Sequence, residues 1–313
     1  MVDSDLNSLL TSISELPPLS LRKPKVRKSK RKNNPGFFLF SDWHIGEITL
    51  PQRIEGFGEY NYEIARKRLA HITDEMLIWA KRLDLSKAVL LFLGDYISGG
   101  VHDELIIGAE FPPPVQAIRA GELVAAVIAK FYENFPVDAY ILTTDNHGRL
   151  TKPVIYKDKG INNYGYITAS LARQLVPERK SLRFHMIETI YHEIIYNGKT
   201  ILITHGDTIR AWNGIPYYGI DRFIGRECAR RNFDYLAIGH FHTPAFIGRT
   251  IINGCLTGTN EYTYAAGYST APAQVGFTLN PFNLSIFSSA PASRTTCRTP
   301  ERPSKKKLTG IVL

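Results

Sequence analysis

Two imidazoles one residue apart, in Gly239-His240-Phe241-His242, follow the apolar run Tyr235-Leu236-Ala237-Ile238. Side chains on a strand alternate with a period of two, so a strand carrying this pair would project both rings to one side, as a shared metal site requires. The pair alone is equally compatible with ordinary core or surface histidines. Four more apolar runs end in ligand-type residues: Phe37-Phe38-Leu39-Phe40 before Asp42 and His44, residues 88–93 before Asp95, residues 139–144 before Asn146 and His147, and residues 200–204 before His205. In open α/β sheets ligands bind outside the carboxyl ends of strands, so five such ends can surround one volume. Any one of these endings is unremarkable, but core packing does not explain the ordered set. Mixed carboxylate and imidazole ligation suits first-row divalent ions such as Mn, Fe or Zn better than calcium.

The elements that must position these residues are legible around them. The short apolar runs are of the kind expected for buried strands. Asn61 is placed to cap a helix over residues 61–83, with Ile64, Ile72, Met76, Trp79 and Leu83 on its apolar face. Further helices are expected over 114–135, 162–175 and 217–232. Strands are expected over 182–187 and 189–196, closed by the hairpin signal Asn197-Gly198, with shorter ones near 245–252, 274–279 and 284–287. No repeat of fixed period is present.

The net charge of +9 suggests nucleic acid until it is localised. Of 38 Lys and Arg, eight fall in residues 22–32 and six in 294–307, and the chain between is close to neutral. The expected organisation is a disordered basic arm over 1–35, one domain over 36–290, and a flexible basic tail over 291–313. The tails either attract a phosphate backbone or simply aid solubility. Cys228, Cys255 and Cys297 lack any Cys-x-x-Cys spacing, which argues against a disulfide framework or a cysteine zinc site. With no signal-peptide pattern and no long apolar run, the expectation is a soluble cytoplasmic protein with no membrane partner. The sequence leaves its oligomeric state open.

The ordered motifs Asp42-x-His44, Gly94-Asp95, Asn146-His147, His205 and Gly239-His240-x-His242 resemble those of the calcineurin-like metallophosphoesterase family over roughly 200 residues. The resemblance implies a four-layer α/β/β/α sandwich with two mixed sheets. It implies two divalent ions, with Mn²⁺ favoured and Fe, Zn or Ni as alternatives. Asp42, His44 and His242 would hold one ion, Asn146, His205 and His240 the other, and Asp95 would bridge them. His147 would stand beside the pair as a proton donor or phosphate contact. The implied activity is hydrolysis of phosphate esters, with phosphodiesters of nucleic acid or nucleotides favoured. Alternatives are a phosphomonoesterase or protein phosphatase, and a weakly catalytic nucleic-acid-binding or scaffold protein on the same fold. Arg149 is a candidate phosphate contact or a structural salt bridge, and His102 a candidate substrate contact or an ordinary loop residue.

Two positions depart from the family pattern. Asp145 stands where the motif has Gly, and Gly148 where it has an acidic residue that could orient His147. Asp207 or Asp103 is the candidate replacement for that acid. The stretches 94–105, 148–149 and 253–274 are similar to bacteriophage-encoded members, which would place the protein in a host cytoplasm.

Overall fold

A computed structural model describes residues 11–21, 33–211 and 216–288. Six strands form one sheet in the order β11-β10-β1-β2-β3-β4, with β1 Pro35–Phe40, β2 Lys87–Phe92, β3 Val137–Leu142, β4 Leu182–Ile187, β10 Ala273–Leu279 and β11 Phe282–Ser288. β1 to β4 run parallel, and β10 and β11 join antiparallel. Five strands form the second sheet in the order β5-β6-β7-β9-β8, with β5 His192–Tyr196, β6 Lys199–Ile203, β7 Tyr235–Ile238, β8 Ala245–Ile247 and β9 Thr250–Ile252. Here β6, β7 and β9 are parallel, while β5 and β8 are antiparallel to their neighbours.

The runs are apolar throughout because the strands are covered on both faces. In β1 and β2, Phe37, Leu39, Val89 and Leu91 point to the second sheet, where they pack with Ile201, Ile203, Ala237 and Ile251. Phe38, Phe40, Leu90 and Phe92 point the other way, into a core shared with helices α1 Tyr62–Arg82, α3 Pro113–Tyr132 and α4 Tyr164–Leu175. Outside the second sheet, Ile220 and Phe223 of α5 Tyr217–Cys228 pack on Leu202, Leu236 and Ile238. Two short helices, α2 Asp103–Ile107 and α6 Glu261–Ala265, complete the set. This is the four-layer sandwich with two mixed sheets that the resemblance implies.

Local signals explain the boundaries. The Asn61 side chain accepts from the Ile64 amide at 2.9 Å and starts α1, a cap worth about 1 kcal/mol. Asn197 and Gly198 both take positive φ, turning β5 into β6 with Tyr196 paired to Lys199. The segment expected as one strand near 245–252 is instead the β8–β9 hairpin, turned at Gly248 with φ +60°. The helix expected to reach residue 232 stops at Cys228.

Part of the expected N-terminal arm is not free chain. Residues 11–14 are helical, Ile13 is buried, and the Leu19 amide bonds to the Leu175 carbonyl at 2.7 Å. Leu16 and Leu19 stay exposed, and the segment is held to α4 by that bond and by Gln174 Nε2, which donates to the Leu16 carbonyl at 2.7 Å. The basic stretch 22–32, Trp212 and residues 289–313 lie outside the described residues. No helix among the described residues is long and apolar enough to cross a membrane.

Candidate metal centre

The parallel strands β1, β2 and β3 of one sheet and β6 and β7 of the other deliver their carboxyl ends to one region. The candidate ligands begin two to four residues beyond each end, at Asp42, Asp95, Asn146, His205 and His240. Backbone pairing continues past β1 and β2 into the loops. The amides of Trp43 and His44 both donate to the Asp95 carbonyl, at 2.9 and 3.1 Å. The His240 amide donates to the Asp42 carboxylate at 3.0 Å, which ties the two sheets together at the site.

Three ligand groups form, each with its donor atoms within 4.8 Å of one another: Asp42, His44 and His242; His44, Asp95 and His147; and Asp95, His205 and His240. Asn146 joins the last through its Oδ1, 2.9 Å from His205 Nε2. All seven residues assigned as ligands and His147 therefore converge. His240 and His242 fall in different groups, but not as a strand would place them. β7 ends at Ile238, and each histidine sits at the centre of a tight turn, with Phe241 N–H bonded to Gly239 O and Thr243 N–H to Phe241 O. Their φ values of +69° and +61° are those of a strained γ-turn.

Positive φ recurs at Asp42, His44 and Asp95, so five candidate ligands occupy backbone conformations that L-residues rarely adopt. Such strain costs on the order of 1–3 kcal/mol per residue and persists where the surroundings over-determine it.

The donors are also set up electrostatically. Burial, with neighbouring imidazoles, holds His44 well below the ordinary histidine range, and burial takes His240 down to about 4 and His242 to about 3. Neutral imidazoles offer lone pairs, the form that binds metal. Burial would lower His205 as well, but the Asp95 carboxylate outweighs it and raises His205 to about 10. Burial pushes the Asp42 carboxyl up to about 7, opposed by the charge of His205. The His205 Nδ1–H donates to the Leu93 carbonyl at 2.7 Å and leaves Nε2 for the centre. His44 Nδ1 is buried without a partner, and its Nε2 lies 3.1 Å from His242 Nε2. Two neutral imidazole nitrogens facing each other at that distance, beside buried carboxylates, fit a divalent cation.

The two departures form a matched pair. Asp145 is buried, and its Oδ2 accepts from the Asp95 amide at 2.8 Å. Its Oδ1 accepts from the Gly148 amide at 2.7 Å and Asn163 Nδ2 at 3.0 Å. Burial, with the nearby Asp95, raises the Asp145 carboxyl above its ordinary value. A Cβ at residue 148 would stand 2.2 Å from Asn163 Oδ1, so the family's acidic residue has no room here. Neither suggested substitute reaches His147: Asp207 pairs with Lys159 at 2.6 Å and Asp103 with Lys152 at 2.5 Å. His147 Nδ1 instead lies 2.8 Å from the Ser98 carbonyl, with Nε2 4.0 Å from Asp95 Oδ2.

Arg149 forms no ion pair among the described residues. Its guanidinium donates to the carbonyls of Asn146 at 2.5 Å, Thr151 at 3.0 Å and Lys152 at 3.1 Å, bracing the loop that carries Asn146 and His147. His102 is exposed at the N-cap position of α2, with no side-chain capping bond. Sequence reasoning missed the support beneath Asp42. The Ser41 hydroxyl donates to Asp42 Oδ2 and accepts from Asn253 Nδ2 at 2.8 Å, while Gln274 Oε1 holds the Ser41 amide at 2.9 Å. Three polar residues buried between apolar strands were the available signal.

No protein-family model matches the chain, and no curated protein matches it by sequence. Solved structures that align with it include a conserved uncharacterized protein of Streptococcus pneumoniae described as a predicted phosphoesterase, 9% identical, with 82% of this chain and 91% of that one covered and a TM-score of 0.33. Wild-type Vps29 complexed with Zn²⁺, from Entamoeba histolytica, is 10% identical, with 80% and 96% covered and a TM-score of 0.33. Yfce, a phosphoesterase from E. coli, is 13% identical, with 81% and 98% covered and a TM-score of 0.31. At scores this low, the chemistry of the site rests on this chain's own residues.

Proposed function

We propose that the protein is a metal-dependent phosphoesterase that hydrolyses phosphodiesters of nucleic acid or nucleotides. One observation carries the reading: Asp42 and Asp95 are buried among imidazoles, and among the described residues no lysine or arginine lies within ion-pair distance of either carboxylate. Two divalent ions about 3.5 to 4 Å apart would clamp a phosphate and supply a nucleophile from water at neutral pH. Asp42, His44 and His242 would hold one, Asn146, His205 and His240 the other, and Asp95, which enters two of the three ligand groups, would bridge them.

The chain's own residues supply the rest. Leu93 fixes the His205 ring, Ser41 holds one oxygen of Asp42, and Asp145 fixes the backbone of Asp95. His147 presents Nε2 beside Asp95, where it can give a proton to the leaving oxygen. Mn²⁺ is the proposed ion on donor chemistry, with imidazole nitrogen and carboxylate oxygen mixed in one site. The preference for diesters rests on the basic stretches at 22–32 and 294–307, which would track a phosphate backbone.

Purified protein with Mn²⁺ should hydrolyse bis(p-nitrophenyl) phosphate faster than p-nitrophenyl phosphate. Faster monoester turnover would reassign the substrate class, and no turnover of either would remove the enzymatic reading.

A further inference from the structure

Removing the acidic residue that follows His147 in the family pattern leaves the question of what orients its ring. The Nδ1 contact answers it. A carbonyl oxygen only accepts, so at 2.8 Å from Ser98 O the Nδ1 atom must carry the proton, and Nε2 is the atom presented to the centre. The Ser98 carbonyl is useful only if its loop is fixed, and this loop is held from below. Ser98 N–H bonds to the Ile45 carbonyl at 3.0 Å, and Gly99 N–H donates to Gln116 Oε1 at 2.9 Å. Gln116 lies on α3 and is 0% exposed, and its Nε2 donates to the Phe111 carbonyl at 2.7 Å. Both ends of the amide are therefore committed, and its orientation is set. Gly99 has φ +77°, and a Cβ there would lie 2.1 Å from the His147 carbonyl oxygen, so the loop packs directly on the His147 backbone.

We infer that Gln116 is a positioning residue for catalysis: it fixes the Ser98-Gly99 segment so that the Ser98 carbonyl holds His147 with Nε2 toward the scissile ester. The inference rests on the phosphoesterase reading for its chemistry, and on the hydrogen bonds above for its geometry. In the step it serves, the oxygen of water bonds to phosphorus as the bond to the ester oxygen breaks. The leaving oxygen keeps that electron pair and takes the Nε2 proton of doubly protonated His147. The proton lost by water passes to solvent, and the ring keeps Nδ1–H on Ser98 throughout.

The experiment compares wild type with Gln116→Met, which keeps side-chain length but loses both bonds, and with Gly99→Ala, which disturbs the same contact from the loop side. Methyl p-nitrophenyl phosphate, with a good leaving group, is set against methyl phenyl phosphate, with a poor one. Proton donation matters most for the poor leaving group, so Gln116→Met should lower kcat for the phenyl ester about tenfold, and for the p-nitrophenyl ester less than about threefold, with KM unchanged. In a His147→Asn background the same change should have no further effect. Equal slowing of both esters, or an undiminished effect without His147, overturns the inference. If Gln116→Met does not fold, Gly99→Ala must give the same pattern. Long-range ¹H–¹⁵N spectra of the metal-free protein provide a readout independent of activity. His147 should be protonated at Nδ1 in wild type and a tautomer mixture in Gln116→Met, and an Nε2–H tautomer in wild type overturns the inference. Absence of diester cleavage by wild type sinks the phosphoesterase reading and the catalytic role together, while the spectra still decide whether Ser98 and Gln116 set the ring.

Discussion

Asp138, near the start of β3, and Asp95, beyond the end of β2, are each 1% exposed, yet they are neutralised in opposite ways. Asp138 is served by the chain itself. Lys87 Nζ lies 2.9 Å away, Arg183 approaches with Nε at 2.8 Å and Nη2 at 2.5 Å, and the Tyr196 hydroxyl donates as well. Burial pushes its carboxyl up, but these donors outweigh that and bring it down to about 2. Asp95 has imidazoles instead: His205 Nε2 at 3.1 Å and His147 Nε2 at 4.0 Å. Backbone strain divides the same way, since Asp42, His44, Asp95, His240 and His242 have positive φ and Asp138 lies in regular strand. One end of the sheet closes its electrostatics with arginine and lysine. The other leaves its carboxylates among imidazoles, where the proposed ions would complete it.

The contrast breaks most visibly at Asp95. Asp95→Asn should lower kcat on bis(p-nitrophenyl) phosphate with Mn²⁺ by on the order of 10³-fold, while Asp138→Asn should leave turnover per folded molecule unchanged. Next in size, Mn²⁺ at 100 times its dissociation constant should stabilise wild type by about 2.7 kcal/mol for each ion bound in thermal unfolding. Asp138→Asn should show the same gain, and Asp95→Asn much less.

Asp138 sharpens the comparison from the other side. Its folded pKa of about 2 lies below its ordinary value of 3.8, so its contribution is fully present above pH 4 and is lost as pH falls toward 2. That contribution is about 2 kcal/mol, and Asp138→Asn should remove it at neutral pH and flatten the acid limb of stability between pH 4 and 2. Urea unfolding at a series of pH values measures both. The smallest effect is expected at Ser41, whose hydroxyl touches Asp42. Ser41→Ala should weaken metal affinity by about tenfold without changing the number of ions bound.

How much of this was legible in the sequence follows from the same physics. The strands of the parallel cores were readable because Phe37 to Phe40 and the 88–93 run are apolar on both faces, and the fold buries both faces. The helix start at Asn61 was readable because its cap is local. Convergence of the ligands was readable from motif order, since parallel strands bring their carboxyl ends together. The turns at His240 and His242 were not, because a one-residue spacing looks the same on a strand and on two γ-turns. Asp145 and Gly148 read as losses because the partner that unites them, Asn163, comes from the start of α4. The orienter of His147 was hidden for a different reason: a backbone carbonyl such as Ser98 leaves no mark on residue type. Only the burial of an amide at Gln116, on a helix face otherwise apolar, hinted at it.

The most direct measurement is a calorimetric titration of the metal-free protein with Mn²⁺, in wild type and Asp95→Asn. Two ions per chain are expected in wild type, with binding of at least one lost in the variant. A wild-type stoichiometry of one or none, or two ions bound equally well without the Asp95 carboxylate, would contradict a bridged metal pair at this end of the sandwich.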